Sequence, residues 1–309
     1  MKAAVVTAFD QPPRYADFPM PTAAGPHEQL VDVLAAGLHP RVRSQADGTH
    51  YTSTGELPFV PGVDGVGRCA DGTLRYFLLG DTTVGSMAEQ TVIDVSRSIA
   101  LPEGADPVSV AAAANPALAS WMALRRRIES KPGQHVLILG ATGNAGRMAV
   151  QVAKLLGADS VVAAGRDRRR LAELPATDTV SLADADQLGK VAADVDVVLD
   201  FVWGQPAADA MTALITARPD RGRPLSWVQI GAVAGATAPI PSAALRAARL
   251  QIVGSGQGSL GKREYLAELP ALIEEIGNGK LQIDAKPVPL TDVENAWRST
   301  ERTVLIPGA

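Results

Sequence analysis

The stretch HVLILGATGNAGRMAVQVAKLLGADSVVAAGR, residues 135–166, decides how this chain is read. Its apolar run at 136–139 predicts a buried strand. The turn Gly140-Ala141-Thr142-Gly143-Asn144-Ala145-Gly146 follows at once. Met148, Val152, Leu155 and Leu156 then recur at helical spacing, and Gly157 ends the helix. A second apolar run, 160–164, predicts another strand. Strand, glycine turn, helix and strand within about 30 residues is the setting in which such a turn holds a dinucleotide.

Each glycine has a physical task in that reading. Gly140 permits a tight reversal, Gly143 lets backbone approach a pyrophosphate, and Gly146 brings the helix close to the sheet. The helix N-terminus offers unpaired N–H groups and partial positive charge to phosphates. The pattern is GxxGxxG rather than GxGxxG, and the alternative is a glycine turn that binds nothing.

The end of the second strand bears on which cofactor. An acid there would accept the ribose 2′-hydroxyl of NAD. This chain instead has Gly165, which leaves room for a 2′-phosphate, and Arg166, which can bind one through two parallel hydrogen bonds. Arg170 is a second cation able to hold the phosphate. NADP(H) is therefore the expected cofactor. Asp167 is the missing acid if the register shifts, making this an NAD protein. Its other role is to cap a helix starting at Arg168.

Composition narrows the remaining classes. Charged residues make up 20% and the net charge is −4, with no footprint for nucleic acid or an anionic membrane. One cysteine, Cys69, rules out an internal disulfide framework and a Cys-rich structural zinc site. It is expected as a small strand residue rather than a reactive thiol. The opening MKAAVVTAFD is too short in apolar residues for a signal peptide. No stretch reaches the roughly 18 apolar residues of a membrane helix, and the Ala-rich run 108–119 is interrupted by Asn115 and Pro116. A soluble cytoplasmic protein without repeats is expected.

Residues 1–110 read as β-rich, with strands at 3–7, 30–35, within 58–72 and at 87–95. Asp71-Gly72 marks a hairpin turn. A helical region starts at 102–114 and resumes at 121–128, before Lys131-Pro132-Gly133 breaks the chain. After 166, strands at 179–182, 195–201, 225–231 and 250–254 alternate with helical text. That text includes 207–217, with Met211, Leu214 and Ile215 on one side. Such alternation predicts a parallel, doubly wound α/β sheet. A helix at 265–276 ends at Gly277-Asn278-Gly279. A strand at 288–290 and a helix at 293–299 follow.

From end to end the chain resembles the medium-chain dehydrogenase/reductase superfamily, in its zinc-free quinone oxidoreductase branch. The resemblance rests on the order and spacing of MKAAVV, AAGLHP, PFVPGVDGVG, GSMAEQTVI, LPEGADPVSVAA, ALASWMAL, the glycine turn, LPALIEEIGNGKL and TDVENAW. It implies a GroES-like β-rich catalytic domain, 1–112 with 264–309, and a Rossmann NADP-binding domain, 113–263. The active site is expected in the cleft between them. Asn115, Phe201 and Gly231 are expected to join the glycine turn in holding the cofactor. Zinc members of the superfamily carry ligands where this chain has His39, Val63-Asp64 and Asn115, and their four-cysteine lobe is missing here. The resemblance therefore implies no metal.

The chain also departs from the quinone reductase pattern. That branch usually reads G-[VI]-N-P, then a Tyr and an Arg before G-x-Y. Here the text is GLHPRVRSQADGTHY, with His39 for the Asn, Ser44 for the Tyr and Ala46 for the Arg. The later aromatic survives as Tyr51, displaced by one, with His50 at the aligned place. The implied reaction is hydride transfer to a quinone or to the β-carbon of an enone. Tyr51, His50 and His39 are the candidate proton donors, with solvent as competitor and a structural role open for each. Arg41 and Arg43 either line the entrance or are solvated. Two other functions stay open: an NADPH-binding sensor or partner protein with little turnover, and an alcohol dehydrogenase or acyl reductase of the same superfamily. The expected partners are a small-molecule substrate and a second copy of the chain, paired through the edge strand 250–254. Neither nucleic acid nor membrane is expected.

Overall fold

A computed structural model describes residues 1–309 except Tyr51, Thr52, Thr54, Asp81, Gln257 and Ala309. The chain divides into two units, Met1–Asn115 with Leu269–Ala309, and Pro116–Glu268.

The second unit carries the stretch quoted first. Its strands are β1 (His135–Leu139), β2 (Ser160–Gly165), β3 (Asp178–Ser181), β4 (Val197–Asp200), β5 (Leu225–Gln229) and β6 (Leu250–Gly254). They form one parallel sheet in the order β3-β2-β1-β4-β5-β6. The helices α1 (Asn144–Leu155), α2 (Arg168–Ala172), α3 (Ala185–Val191), α4 (Gly204–Ala217) and α5 (Ser242–Ala247) alternate with them. Leu137, Leu139, Val198, Met211, Leu214 and Trp227 are buried together in the core, which is what continuous apolar strands require of a parallel sheet. The first strand in sequence lies in the middle, and the strand order reverses between β1 and β4. In open α/β sheets, ligands bind outside the carboxyl ends of the strands at that reversal.

The first unit is built on antiparallel pairing. Strand Glu28–Leu38 is the hub. It pairs with Asp64–Arg68, Gln90–Asp94 and Thr303–Ile306, all antiparallel. Asp64–Arg68 turns through Asp71-Gly72 into Leu74–Leu78, the hairpin its dipeptide predicts. Gly72 has φ of +86°, which a side chain rarely tolerates. Cys69 is buried at this hairpin, and burial pushes its thiol up, so it is a packed strand neighbour rather than a nucleophile.

One expectation is corrected here. Asn115 and Pro116 do not interrupt the Ala-rich run, because a single helix spans Pro107–Met122. Proline has no N–H for the carbonyl four residues back, so Ala112 O loses its helical partner. The buried Arg302 supplies the donor: Nε gives to Ala112 O (2.9 Å), Nη2 to Ala111 O (3.0 Å) and Nη1 to Leu38 O (2.8 Å). The helix then widens into a π turn at Ala123–Arg127. There Arg125 and Arg126 both pair with the buried Glu268, which also accepts from Trp121 Nε1 (2.8 Å). Among the described residues, no helix is long and apolar enough to cross a membrane.

Candidate cofactor site and buried histidine

The glycine turn closes β1 onto α1. Gly140 has φ of +86°, and both Gly140 N and Ala141 N give to Ala164 O at 2.9 Å, tying the turn to β2. A Cβ on Gly146 would lie 2.2 Å from Gly140 O, so this glycine permits the helix to meet the turn. Gly143 differs. It is exposed, and a Cβ there would meet only Gly140 O, at 3.5 Å. Nothing inside the fold requires a glycine at 143. Gly143 caps α1 without a side-chain hydrogen bond, so the N–H groups of Asn144, Ala145 and Gly146 open a helix with no side-chain acceptor. That is an anion site in chemical terms. The donor set thus fits a dinucleotide pyrophosphate, with Ala141 buried and Thr142 half-buried in the turn.

At the end of β2 the structure divides the roles. Gly165 is buried, and a Cβ there would lie 2.7 Å from Thr142 Cγ2 and 3.2 Å from Leu171 Cδ2. These side chains exclude a Cβ, so packing by itself calls for a glycine at 165. Asp167 caps α2, accepting at Oδ1 from Arg169 N (3.0 Å) and Arg170 N (3.1 Å). Arg170 Nε lies 3.5 Å from Asp167 Oδ2. Arg166 is exposed and has no hydrogen-bond or ion-pair partner among the described residues. It is a cation left over for a ligand, as is the exposed Arg168.

The other rim of the strand reversal comes from β4 and β5. A Cβ on Gly140 would lie 3.0 Å from Val202 Cγ2 and 3.4 Å from Phe201 Cβ, so the two turns touch. Gly231 N gives to Asp200 O (3.1 Å), and a Cβ at 231 would meet Phe201 O at 2.7 Å. Gly140, Phe201 and Gly231 therefore come together as one rim. Sequence reading missed Asp200 and Trp203 on it. Asp200 is fully buried; its Oδ1 accepts from Val202 N (2.8 Å) and Trp203 N (2.9 Å), and its Oδ2 from Trp227 Nε1 (3.0 Å). The one sequence signal was an Asp ending an otherwise apolar strand. Asn115 is half-buried in the helix Pro107–Met122, and its side chain has no hydrogen bond among the described residues.

The first unit holds His39. It precedes the helix Pro40–Ala46, extended at φ −140° and ψ 168°. Its Nε2 lies 3.0 Å from Asp64 Oδ1, and Tyr76 OH gives to Asp64 Oδ2 at 2.9 Å. His39 is 6% exposed; Asp64 and Tyr76 are fully buried. Ser86 Oγ gives to the Asp64 carbonyl (2.7 Å). Burial holds the His39 imidazole below its ordinary value, with Asp64 opposing and Arg302 and Arg41 adding to the fall. Burial also pushes the Tyr76 phenol well up, so it remains a donor. The acceptor pair on Asp64 assigns the proton of a neutral ring to Nε2. Nδ1, which has no partner among the described residues, is then an acceptor.

Asp64 and Tyr76 are the partners of this cluster that sequence reasoning did not connect to His39. Asp64 stood in the quoted PGVDGVG, but nothing local points a tyrosine 12 residues on at the same carboxylate. His50 is half-buried, with its backbone N giving to Ser44 O (2.9 Å). Tyr51 lies outside the described residues. Arg43 is half-buried: its guanidinium binds the carbonyls of Trp297 and Ser299 and stacks 5.4 Å from the Trp297 ring. Among the described residues no three of His, Cys, Asp and Glu come together as a metal-ligand set.

No family model matches the chain. It is similar to the probable NADPH-dependent quinone reductase tdiC of Emericella nidulans, 29% identical over 363 aligned positions that take in 99% of this chain and 100% of that one. Trans-enoyl reductase pgmF of Aspergillus terreus is 28% identical over 249 positions, 70% of this chain and 66% of its own. The quinone oxidoreductase of Thermus thermophilus, whose crystal structures include its complex with NADPH, matches with a TM-score of 0.79 at 27% identity, over 99% of this chain and 100% of that one. With a glycine turn at the reversal of a six-stranded parallel sheet and a separate antiparallel unit, the chain is similar over nearly its whole length to NADPH-dependent quinone oxidoreductases.

Proposed function

We propose that this protein binds NADP(H) and transfers hydride from it to a quinone or an α,β-unsaturated carbonyl, without zinc. The observation that carries the reading is Arg166. It is an exposed guanidinium without a partner among the described residues, at the end of β2, beside a helix that opens on a glycine with no side-chain cap. Asp167, the residue that would argue for NAD, is engaged in capping α2. In this reading Arg166 holds the 2′-phosphate and the start of α1 holds the pyrophosphate. When bound, the cofactor supplies the hydride. Phe201, Gly231 and Asn115 complete its contacts.

Zinc independence is supported by the donors at the positions where zinc members have ligands. Val63 offers no donor and Asn115 only an amide, and His39 is bonded to Asp64. The protein must therefore balance developing negative charge with hydrogen-bond donors or solvent. Neutral His39 presents an acceptor at Nδ1, so proton delivery falls to solvent, His50 or Tyr51 unless the ring is protonated. The same acceptor favours a second reading, in which Nδ1 takes the proton of an alcohol as NADP⁺ accepts its hydride.

We further propose a cytoplasmic homodimer. The single cysteine fits a reducing compartment, and β6 is a sheet edge with Leu250, Ile252 and Val253 only partly buried. Sedimentation that finds only monomer at micromolar concentration removes the dimer. The activity is tested by following NADPH oxidation against quinones, enones and 2-alkenals, and NADP⁺ reduction by alcohols, with and without chelator. Chelator-resistant turnover of a quinone or enone is expected. Tight NADPH binding with no turnover across the panel would make the protein a sensor instead.

A further inference from the structure

Trp203 is held where almost only glycine goes. Its backbone sits at φ 53°, ψ −162°, a region that a Cβ makes costly and that persists only where surroundings enforce it. The other non-glycine residue with positive φ among those described is Glu129. Three contacts enforce the strain. Asp200 Oδ1 grips Val202 N and Trp203 N, and Ala234 N gives to Val202 O (2.9 Å). Gly204 follows at φ 67°, where a Cβ would lie 2.9 Å from Ala234 O. The chain thus places glycine at 204 and yet keeps tryptophan at 203.

A core anchor would be buried, as Trp227 is. Trp203 instead packs one side on the core and leaves the rest open. Beside it, on the segment bonded to Val202, Val233 is 80% exposed. Two apolar side chains therefore stand at the carboxyl-end rim of β4 and β5, across the strand reversal from the glycine turn. In the strand order 3-2-1-4-5-6, each half of the sheet takes one mononucleotide. If Arg166 at β2 holds the 2′-phosphate, the adenosine half lies over β1–β3, and β4–β6 face the nicotinamide half.

We propose that Trp203 and Val233 form an apolar lip that positions the nicotinamide nucleotide, and that the backbone strain at Trp203 is kept for that purpose. The proposal rests on the NADP(H) reading above and deepens it. A lip of this kind suits a flat ring with apolar faces and offers nothing to phosphate.

The test uses full-length protein and two probes, NADPH and 2′,5′-ADP, which carries the adenosine half alone. Trp203→Gly should weaken NADPH roughly tenfold, as losing one well-placed contact does, and leave 2′,5′-ADP within about twofold. Trp203→Phe, which keeps a ring at the strained position, should stay within a few-fold of wild type. Val233→Ser, at a site too exposed to unfold the protein, should weaken NADPH a few-fold with 2′,5′-ADP unchanged. Arg166→Ala should weaken both probes. Unchanged NADPH affinity in Trp203→Gly and Val233→Ser overturns the proposal and leaves the cofactor reading standing. Equal loss of both probes in Trp203→Gly also overturns it, since the turn is then scaffold. Wild-type protein that binds neither probe sinks the cofactor reading first, and the lip with it.

Discussion

One guanidinium in each unit shows charge handled in opposite ways. In the first, Arg302 is buried and gives to three carbonyls, and the buried Asp64 accepts from His39 and Tyr76. In the second, Arg166 at the end of β2 is exposed and has no partner among the described residues. Removing a buried partner strands the groups it served, whereas removing an exposed cation changes only what arrives from outside. Arg302 should therefore read out as stability and Arg166 as affinity.

The largest expected effect is at Arg302. Arg302→Met leaves the carbonyls of Leu38, Ala111 and Ala112 without this donor, at about 1–3 kcal/mol for each buried group left unsatisfied. A loss of at least about 3 kcal/mol is expected from urea unfolding, and Arg302→Lys should recover only part, because an ammonium lacks the planar fork. Stability within about 1 kcal/mol of wild type would mean that water or the helix itself serves those carbonyls.

Arg166→Ala comes next. Loss of a charge-assisted hydrogen bond, about 1.5–3 kcal/mol, should weaken NADPH binding by roughly 10- to 150-fold. NADH binding and thermal stability should hardly move. Added salt should weaken NADPH more than NADH in the wild type, since an exposed ion pair is screened. Equal loss for both cofactors would make Arg166 structural, and no loss for either would move the phosphate to Arg170.

Gly165 sharpens the contrast, because a residue expected to serve the ligand is also one the fold requires. Gly165→Ala should destabilise by about 1–3 kcal/mol through overpacking against Thr142. Thr142→Ser, which deletes the crowding methyl, should restore part of that in the double variant. If the two substitutions simply add, the clash is not with Thr142.

The smallest effect is the pH response of His39. Its folded value is depressed by burial from an ordinary 6.5. The unfolded chain then binds the proton more readily than the folded one. Stability is full above about pH 6.5 and falls as pH drops from there toward the depressed value. His39→Asn removes this component, so the wild-type minus variant difference should shrink only on acidification. A difference flat between neutral pH and pH 5 would mean that the ring is not buried neutral.

How much of this was legible beforehand follows from range. Positions 135–166 announced β1, the turn, α1 and β2 because apolar period and glycine placement are local properties. The Asp71-Gly72 hairpin and the Asp167 cap were readable for the same reason. The helix through Pro116 was not, since local rules break a helix there and the remedy comes from Arg302, 190 residues beyond Ala112. The roles of Gly165 and Asp64 were also out of reach. A glycine says only that a Cβ is unwelcome, not whether Thr142 or a phosphate needs the space. An aspartate does not say which histidine and tyrosine will share it. The residues alone determined the order of strands and helices and the chemistry of the turn, because each depends on neighbours in the chain. Tertiary structure alone decided which polar groups are buried together, which cations stay exposed and where a tryptophan is held in a glycine conformation. Those outcomes depend on atoms brought close by folding, and burial fixes their energetic weight.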